Sequence, residues 1–208
     1  MMPAAAVTPP PAVVEQRWPG STITILGGGP SLTEEDVRYV GARPHLTRTI
    51  AIKDAYLLAP WADVLYACDV SWWRYFNGAP TFRGLKYTLE APYPGVVQLR
   101  NTGMEGLELD PSGLRTGQNS GYQAINLAVH LGATRVLLLG YDCWPAPDGR
   151  QNWFPKHRPH LDSPYPIFLQ LFGTIVDPLK AAGVEVINCS RTTLLRVFPR
   201  QPLEEVLP

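Results

Sequence analysis

Short apolar runs of β-branched and aliphatic residues recur along the first half of the chain. Each run is bounded by glycine, proline or polar residues, a pattern that predicts a buried or half-buried β-strand. The first three runs are each followed by a stretch that can form a helix. The predicted strands lie at residues 22–26, 49–52, 63–68, 85–89 and 96–99.

The second half of the chain continues the alternation of strand and helix. Residues 119–131 place apolar side chains on one helical face, and Gly132 follows as a C-cap signal. The run at 135–140 is continuously apolar, which is typical of a central parallel strand covered on both faces. A helix at 167–182 and a strand at 184–188 complete the pattern. It predicts an α/β fold with a Rossmann-like, mostly parallel, twisted sheet flanked by helices.

Length and composition favour a single domain. A chain of 208 residues with 45% hydrophobic residues can bury one sizeable core. We predict residues 1–20, which begin with a segment rich in Ala and Pro, as a disordered tail, and residues 21–208 as one domain. Residues 143–166 are crowded with Pro, Trp and His and show no periodicity, so we interpret them as a lid segment.

Charge, cysteine content and hydropathy exclude several classes of protein. The 18 basic and 18 acidic residues balance, which argues against nonspecific nucleic-acid binding. No apolar run approaches the roughly 20 residues of a membrane span, and the N-terminus lacks the regions of a signal peptide. Cys68, Cys143 and Cys189 are too widely spaced for a disulfide framework or a zinc site. We therefore expect a soluble, cytoplasmic protein with reduced thiols.

The first predicted strand runs into a glycine-rich turn. Its three glycines allow close approach of a ligand, and the two residues after them launch a helix whose N-terminus attracts anions. In a parallel sheet such a turn lies at the carboxyl ends of the strands, where ligands bind. A tight strand-to-helix turn by itself also requires glycine. The candidate nucleotide contacts in this turn are Gly27, Gly28, Gly29, Pro30 and Ser31.

Other strand ends and helix starts add polar groups to the same edge of the sheet. The Asn-Ser-Gly sequence at 119–121 suits an anion or a hydroxyl group, or forms an ordinary N-cap. Asp142 follows the most apolar strand, where its carboxylate either accepts hydrogen bonds from ribose or sugar hydroxyls or holds the amides of the facing loop. The candidate contacts of this group are Lys53, Asp69, Asn119, Ser120, Gly121 and Asp142.

The lid segment carries the candidate catalytic residues. His157 and His160 each offer an imidazole that can act as a general base near neutral pH. No third ligand at a convincing spacing accompanies them, so we predict no metal site. Trp144, in the same segment, is a candidate to stack on a base or sugar, whereas we interpret Trp72 and Trp73 as core residues.

Taken together, these segments resemble the bacterial sialyltransferase family whose first strand ends in a Gly-Asn-Gly-Pro-Ser-Leu loop, and the phage-encoded proteins related to it. The loop here reads Gly-Gly-Gly-Pro-Ser-Leu at 27–32, and the resemblance runs in order over about residues 22–198. The order of the segments is more specific than any single motif. Its later parts are 119–121, Gly132, the Gly-Tyr-Asp at 140–142, the lid, and Thr192 and Thr193 before Phe198.

The resemblance implies a metal-independent glycosyltransferase with a mobile lid and a CMP-linked sugar as donor substrate, without a further cofactor. It implies that a lid histidine deprotonates the acceptor, and His157 matches that histidine best. It also implies that Thr192 and Thr193 belong to the nucleotide-binding set and that the host is bacterial, with the gene on a prophage. The identity of the acceptor stays open, as does a homo-oligomeric state.

Three positions depart from the family. The loop asparagine is Gly28 here, a second strand-end asparagine is Lys53, and a lid tyrosine is Trp144. These departures leave two other classes open. One is a non-catalytic phage accessory protein that binds a nucleotide or a small anion. The other is an ATP-dependent diphosphokinase of the archaeal pterin type, which has a similar loop and requires magnesium.

Overall fold

Parallel pairing of short strands builds the main sheet. The computed structural model describes residues 12–155 and 163–208, and in that part of the chain seven strands pair in the order β5-β4-β3-β2-β1-β8-β9. A separate two-stranded sheet pairs β6 with β7. The strands are β1 Ser21–Leu26, β2 Arg48–Ile52, β3 Val64–Tyr66, β4 Leu85–Thr88, β5 Val97–Gln98, β6 Arg100–Asn101, β7 Gly113–Leu114, β8 Ala133–Leu139 and β9 Glu185–Asn188.

Helices cover both faces of the main sheet. Side chains alternate along each strand, so Ile25 and Leu138 join one apolar cluster while Leu26 and Leu139 join the other. The first cluster packs against α3 and α4, and the second packs against α1, α2 and α5. The helices are α1 Glu34–Gly41, α2 Val70–Tyr75, α3 Ser120–His130, α4 Tyr165–Ala181 and α5 Leu203–Val206, and a 3-10 turn follows β2 at Lys53–Leu57.

The strand order places a topological switch between β1 and β8. From β1 the chain proceeds outward through β2, β3 and β4 to β5, and it then crosses to the other side of β1 to form β8 and β9. Connections on the two sides of β1 therefore leave the sheet in opposite directions and open a crevice at the carboxyl ends of β1 and β8. This crevice is the expected place for a ligand in an open parallel sheet.

The strands predicted from the apolar runs are confirmed as β1 to β5, β8 and β9. The core assignment of Trp72 and Trp73 is also confirmed, because both rings are buried. The indole N–H of Trp73 donates to Ala67 O at 3.0 Å, and that of Trp72 donates to Asp54 Oδ2 at 2.9 Å. The predicted α/β class with a mostly parallel sheet is therefore the observed fold.

Two helix starts differ from their predictions. Helix α1 begins at Glu34 with Thr33 as its N-cap, so Pro30 and Ser31 form a turn that precedes the helix. The Ser31 amide and hydroxyl bond to the distant carboxylate of Asp142, and Thr33 with Asp36 forms the cap of the helix instead. Helix α4 begins at Tyr165, because proline is tolerated in the first turn of a helix, and Pro166 lies there.

Part of the predicted N-terminal tail packs onto the domain. The Val14 side chain is buried, and its amide donates to Pro111 O at 2.9 Å. The amides of Trp18 and Gly20 donate to Leu131 O and Gly132 O, each at 2.9 Å. Residues 14–20 are therefore part of the domain, because the end of α3 offers carbonyl groups that their amides satisfy.

The cysteine thiols lie just after three strands of the main sheet. Cys68, Cys143 and Cys189 are free thiols that follow β3, β8 and β9. Burial raises the pKa of Cys143 and of Cys189 to about 12, so both thiols stay protonated at neutral pH. Among the described residues, no helix combines the length and the apolar character that a membrane crossing requires.

A polar face of α3 holds the long segment between β5 and α3 by hydrogen bonds. Gln123, Asn126 and His130 are all buried, and they recur at helical spacing. The Asn126 side chain accepts from the amides of Glu108 and Arg115 at 3.0 and 3.2 Å, and it donates to Glu108 O at 2.9 Å. The His130 ring contacts Gly113 O at 2.9 Å. This segment has little regular structure, and these side chains add to the hydrogen bonds that it makes within itself.

Buried His130 predicts a pH dependence of stability. Burial lowers the pKa of His130 below its ordinary value of 6.5, so the unfolded chain binds the proton more readily than the folded chain. The contribution is complete above that ordinary value and is lost as the pH falls from it through the lower pKa of the folded state. Urea unfolding at about pH 7.5 and about pH 5.5 should show a smaller decrease in stability for His130→Gln than for the wild type. An equal decrease in both proteins would contradict this assignment.

Candidate functional site

A cavity of about 540 Å³ opens at the carboxyl ends of the parallel strands. Residues that follow β1, β2, β3, β4 and β8 line it, together with the start of α3 and one side of α4. This volume lies within the range of roughly 300–1,000 Å³ that is typical of small-molecule sites. Its polar lining includes Gly27, Gly28, Gly29, Lys53, Asp69, Glu90, Asn101, Gln118, Asn119, Ser120, Asp142 and Asn152.

Alternate amides of the glycine loop extend the ladder between β1 and β8. Gly27 N donates to Leu139 O at 2.7 Å, and Gly29 N donates to Gly140 O at 2.8 Å. Among the described residues, the amide of Gly28 is left without a partner. The loop therefore presents one backbone donor to the cavity, whereas a phosphate-binding nest presents several.

Close packing explains why Gly27 and Gly29 are glycines. A Cβ on Gly27 would lie 2.6 Å from Gly140 O, and a Cβ on Gly29 would lie 2.5 Å from the same oxygen. A Cβ on Gly29 would also lie 2.4 Å from Asp142 Oδ1. Both glycines are needed so that the loop can lie against the end of β8, whatever ligand the cavity holds.

Asp142 ties the loop to the end of β8. Its Oδ2 accepts from Ser31 N at 2.8 Å, and its Oδ1 accepts from the Ser31 hydroxyl at 2.7 Å. Burial raises the pKa of Asp142, while the two bonds from Ser31 oppose that change. Both carboxylate oxygens thus have partners within the protein, which is the contact pattern of the loop-holding interpretation. A contact between Asp142 and a ligand hydroxyl stays a prediction.

Side chains of the protein already cap the start of α1 and place negative charge there. Thr33 and Asp36 form a reciprocal capping box, with Thr33 N donating to Asp36 Oδ2 at 3.1 Å and Asp36 N donating to Thr33 Oγ1 at 3.2 Å. Arg191 binds Asp36 at 2.9 Å and Glu35 at 3.0 Å. The carboxylates at this helix start would repel a further anion, so α1 adds little to anion binding.

The start of α3 lines the cavity and is also capped. Asn119 Oδ1 accepts from Gly121 N at 2.7 Å and from Tyr122 N at 3.3 Å. The turn before it is sharp, because Gly117 and Gln118 have φ angles of 48° and 51°. This turn directs residues 118–121 to the cavity edge, where the Asn119 amide nitrogen has no partner among the described residues. The predicted N-cap is confirmed, and a ligand contact through this nitrogen stays a prediction.

Charged groups cluster at the ends of β2, β3 and β4. Lys53, which has a φ of 49°, forms an ion pair with Asp69. Glu90 Oε2 accepts from Val70 N at 2.7 Å and so caps α2. Burial raises the pKa of the neighbouring Cys68 thiol to about 11, which makes it a poor nucleophile at neutral pH. Lys53 is the one cation among the described lining residues, beside the acids Asp69, Glu90 and Asp142.

Aromatic side chains form the wall opposite these charges. Phe154, Tyr165, Phe168 and Phe172 line the cavity from the lid segment and α4. Trp144 also lines it, and its side chain is 58% exposed. An exposed indole beside a cavity is available to stack on a ring of a ligand.

The structure brings most of the predicted contacts together. Lys53, Asp69, Gly121 and Trp144 line the cavity with the other strand-end candidates. Ser31 acts through Asp142 behind the cavity lining. His157 and His160 lie outside the described residues.

Thr192 and Thr193 are not among the lining residues. The Thr193 hydroxyl donates to Tyr141 O at 2.7 Å and accepts from Leu195 N at 2.9 Å, which supports the turn after β8. Thr192 is exposed. The bond to Tyr141 O could not be read from the sequence, because it joins residues 52 positions apart, whereas the bond from Leu195 N is local.

Sequence reasoning missed several lining residues. Glu90 follows a predicted strand end, as Lys53 and Asp69 do, so that signal was available. Asn152 and Phe154 reach the cavity only through the path of the lid segment, which has no periodicity. Within the described residues, no group of three or more potential ligands is arranged to hold a metal ion.

Comparisons with known proteins bear on the fold. No family model and no curated protein matches the sequence. The structure of the MAf glycosyltransferase from Magnetospirillum magneticum superposes with a TM-score of 0.61 at 14% sequence identity, covering 92% of this chain and 35% of that one. The chain shares the fold of a bacterial glycosyltransferase. It spans about a third of that protein's length. The NADP-bound C-domain of a bacterial malonyl-CoA reductase gives a TM-score of 0.37 at 14% identity over 94% of this chain and 33% of that one, too low to support an argument.

Alanine should have opposite effects on stability at Gly29 in the loop and at Gly173 in α4. Gly29→Ala should destabilise the protein by roughly 1–3 kcal/mol, because the new methyl group overlaps Gly140 O and Asp142. Gly173→Ala is the matched control in α4, where a Cβ meets nothing within 4 Å, and it should stabilise by about 0.5–1 kcal/mol. Denaturant unfolding measures both. Equal stability of Gly29→Ala and the wild type would show that the loop does not lie against β8 as described.

Proposed function

We propose that this protein is a nucleotide-sugar-dependent glycosyltransferase. The observation that carries the proposal is the cavity at the topological switch between β1 and β8, in a fold shared with a bacterial glycosyltransferase. Its volume accommodates a nucleotide with an attached sugar. Its lining combines hydrogen-bonding groups at the strand ends with aromatic rings on the facing wall, which suits the polar and the ring portions of such a donor.

The charges in the cavity favour a donor with a single phosphate. Lys53 is paired with Asp69, and the described lining adds no second cation to oppose Glu90 and Asp142. A diphosphate-linked donor brings more negative charge into this lining and normally requires cationic side chains or a divalent metal. A CMP-linked sugar carries one phosphate and has the lower electrostatic cost. The resemblance to sialyltransferases described above implies the same cytidine monophosphate group.

His157 is the proposed general base, and His160 is the second candidate. Glycosyl transfer requires removal of a proton from the acceptor hydroxyl and stabilisation of the departing nucleotide phosphate. An imidazole suits the first task, because its ordinary pKa lies near neutral pH. Trp144 cannot donate a hydrogen bond from a phenol, so we assign it to stacking on the donor.

Non-catalytic ligand binding is the second candidate. The glycine loop and both helix starts have most of their amides bonded within the protein, which leaves few donors to stabilise a leaving phosphate. The same feature opposes ATP-dependent diphosphate transfer, which handles three phosphates. A binding protein needs fewer such donors than a transferase does.

A thermal-shift screen against nucleotides and nucleotide-sugars, with and without magnesium, tests the proposal. A ligand at 100 times its dissociation constant stabilises the folded state by about 2.7 kcal/mol. We expect stabilisation by CMP or a CMP-linked sugar that is independent of magnesium. A shift only with ATP and magnesium would favour the diphosphokinase, and no shift with any nucleotide would refute the proposed function.

Turnover distinguishes a transferase from a binding protein. We expect release of CMP from the CMP-linked sugar, and a loss of roughly 10²–10⁴-fold in rate for His157→Ala with an unchanged thermal shift. If His160→Ala loses this activity and His157→Ala does not, the general base is His160. Tight binding without any release of CMP would support the non-catalytic alternative.

A further inference from the structure

The segment that precedes residue 156 lies directly on the glycine loop. Trp153 N donates to Gly28 O at 3.2 Å. In the orientation that satisfies its hydrogen bonds, the Asn152 amide nitrogen donates to the same oxygen at 3.3 Å and to Gln151 O at 3.2 Å. Two donors thus converge on the carbonyl of Gly28. We define Gly28, Asn152, Trp153 and Phe154 as the loop seat.

The side chains of this segment pack closely against the Cα of Gly28. A Cβ on Gly28 would lie 3.1 Å from the terminal amide atom of Asn152 and 3.4 Å from Phe154 Cε1. Unlike its two neighbours, Gly28 is not pressed against the end of β8. A side chain at Gly28 would therefore press on Asn152 and Phe154, and these two side chains line the cavity beside the loop.

The loop seat presents one donor and one acceptor to the cavity. The donor is the Gly28 amide, and the acceptor is Asn152 Oδ1, which has two lone pairs and so can accept from a ligand as well as from the protein donor that it faces once the amide nitrogen is turned to Gly28 O. A hydroxyl group can use both at once, because it accepts one hydrogen bond and donates another. A phosphate oxygen can use only the donor, and it would lie near the buried carboxylate of Asp142.

We infer that Asn152 contacts the ligand directly and that, with Gly28 N, it recognises a hydroxyl group of the ligand and not its phosphate. This inference rests on the proposed function, because it takes the cavity as the site of a nucleotide or nucleotide-sugar. The hydroxyl comes from one of two sources, the ribose of the nucleotide or the transferred sugar. Gly28 has a separate role, because its carbonyl oxygen and its lack of a side chain position residues 152–154.

The seat can be tested without any ligand. Gly28→Leu should displace residues 152–154 and speed amide hydrogen exchange at Trp153 by roughly tenfold or more, because its bond to Gly28 O is lost. Gly173→Leu is the matched control, since a Cβ there meets nothing within 4 Å, and it should leave that exchange unchanged. Asn152→Ala provides a second variant should Gly28→Leu fail to fold. Unchanged exchange at Trp153 in both loop variants would overturn the seat.

The contact can be tested by calorimetry with cytidine, CMP and a CMP-linked sugar, or with uridine, UDP and UDP-glucose if the screen selects uridine. Asn152→Ala should lower affinity roughly three- to tenfold, the effect of one hydrogen bond to a neutral group. Gln170→Ala, on the exposed side of α4, is the control and should leave affinity unchanged.

The three probes distinguish the outcomes. An equal loss for the nucleoside and the nucleotide assigns the hydroxyl to ribose, and a loss confined to the nucleotide-sugar assigns it to the transferred sugar. The inference is overturned if Asn152→Ala loses affinity for the nucleotide but not for the nucleoside, or if it loses affinity for none of the probes. If no probe binds the wild type, the proposed function fails, and the exchange experiment still decides whether the loop seat exists.

Discussion

The hydrogen bonds between the glycine loop and the end of β8 hold the site together. Gly27 and Gly29 donate to Leu139 O and Gly140 O, and Ser31 donates twice to Asp142. These bonds continue the pairing of β1 with β8 beyond the last residues of the strands. They require glycine at 27 and 29, and they fix the direction in which the chain leaves the sheet toward α1 and toward the lid segment.

This arrangement determines what the cavity offers a ligand. Loop amides that bond to β8 are unavailable to phosphate, and both helix starts are capped by side chains of the protein. Recognition must then depend on side chains at the strand ends, on the aromatic wall and on the lid segment. A cavity with one paired lysine and several carboxylates suits a ligand rich in hydroxyl groups with little negative charge. The proposed donor and the inferred role of Asn152 both follow from this composition.

Sequence periodicity was sufficient for the main sheet, because each of its strands overlaps a predicted apolar run. It failed for β6 and β7, because the pairs Arg-Asn and Gly-Leu form no apolar run. It placed the start of α1 too early, because the contact of Ser31 with Asp142 spans 111 positions and leaves no local pattern. Strand ends pointed to Lys53, Asp69 and Asp142, which all line the cavity. Asn152 and Phe154 could not be predicted, since an aperiodic segment can follow many paths.

The central claim is that the crevice between β1 and β8 is the ligand site. Its most direct test is an amide spectrum of the ¹⁵N-labelled protein titrated with CMP or with the nucleotide that binds best. The account predicts the largest shift changes at Gly28, at the start of α3 and at Cys143 and Trp144, with the amides of α5 unchanged. Saturable changes that leave Gly28 and the start of α3 unaffected would contradict it.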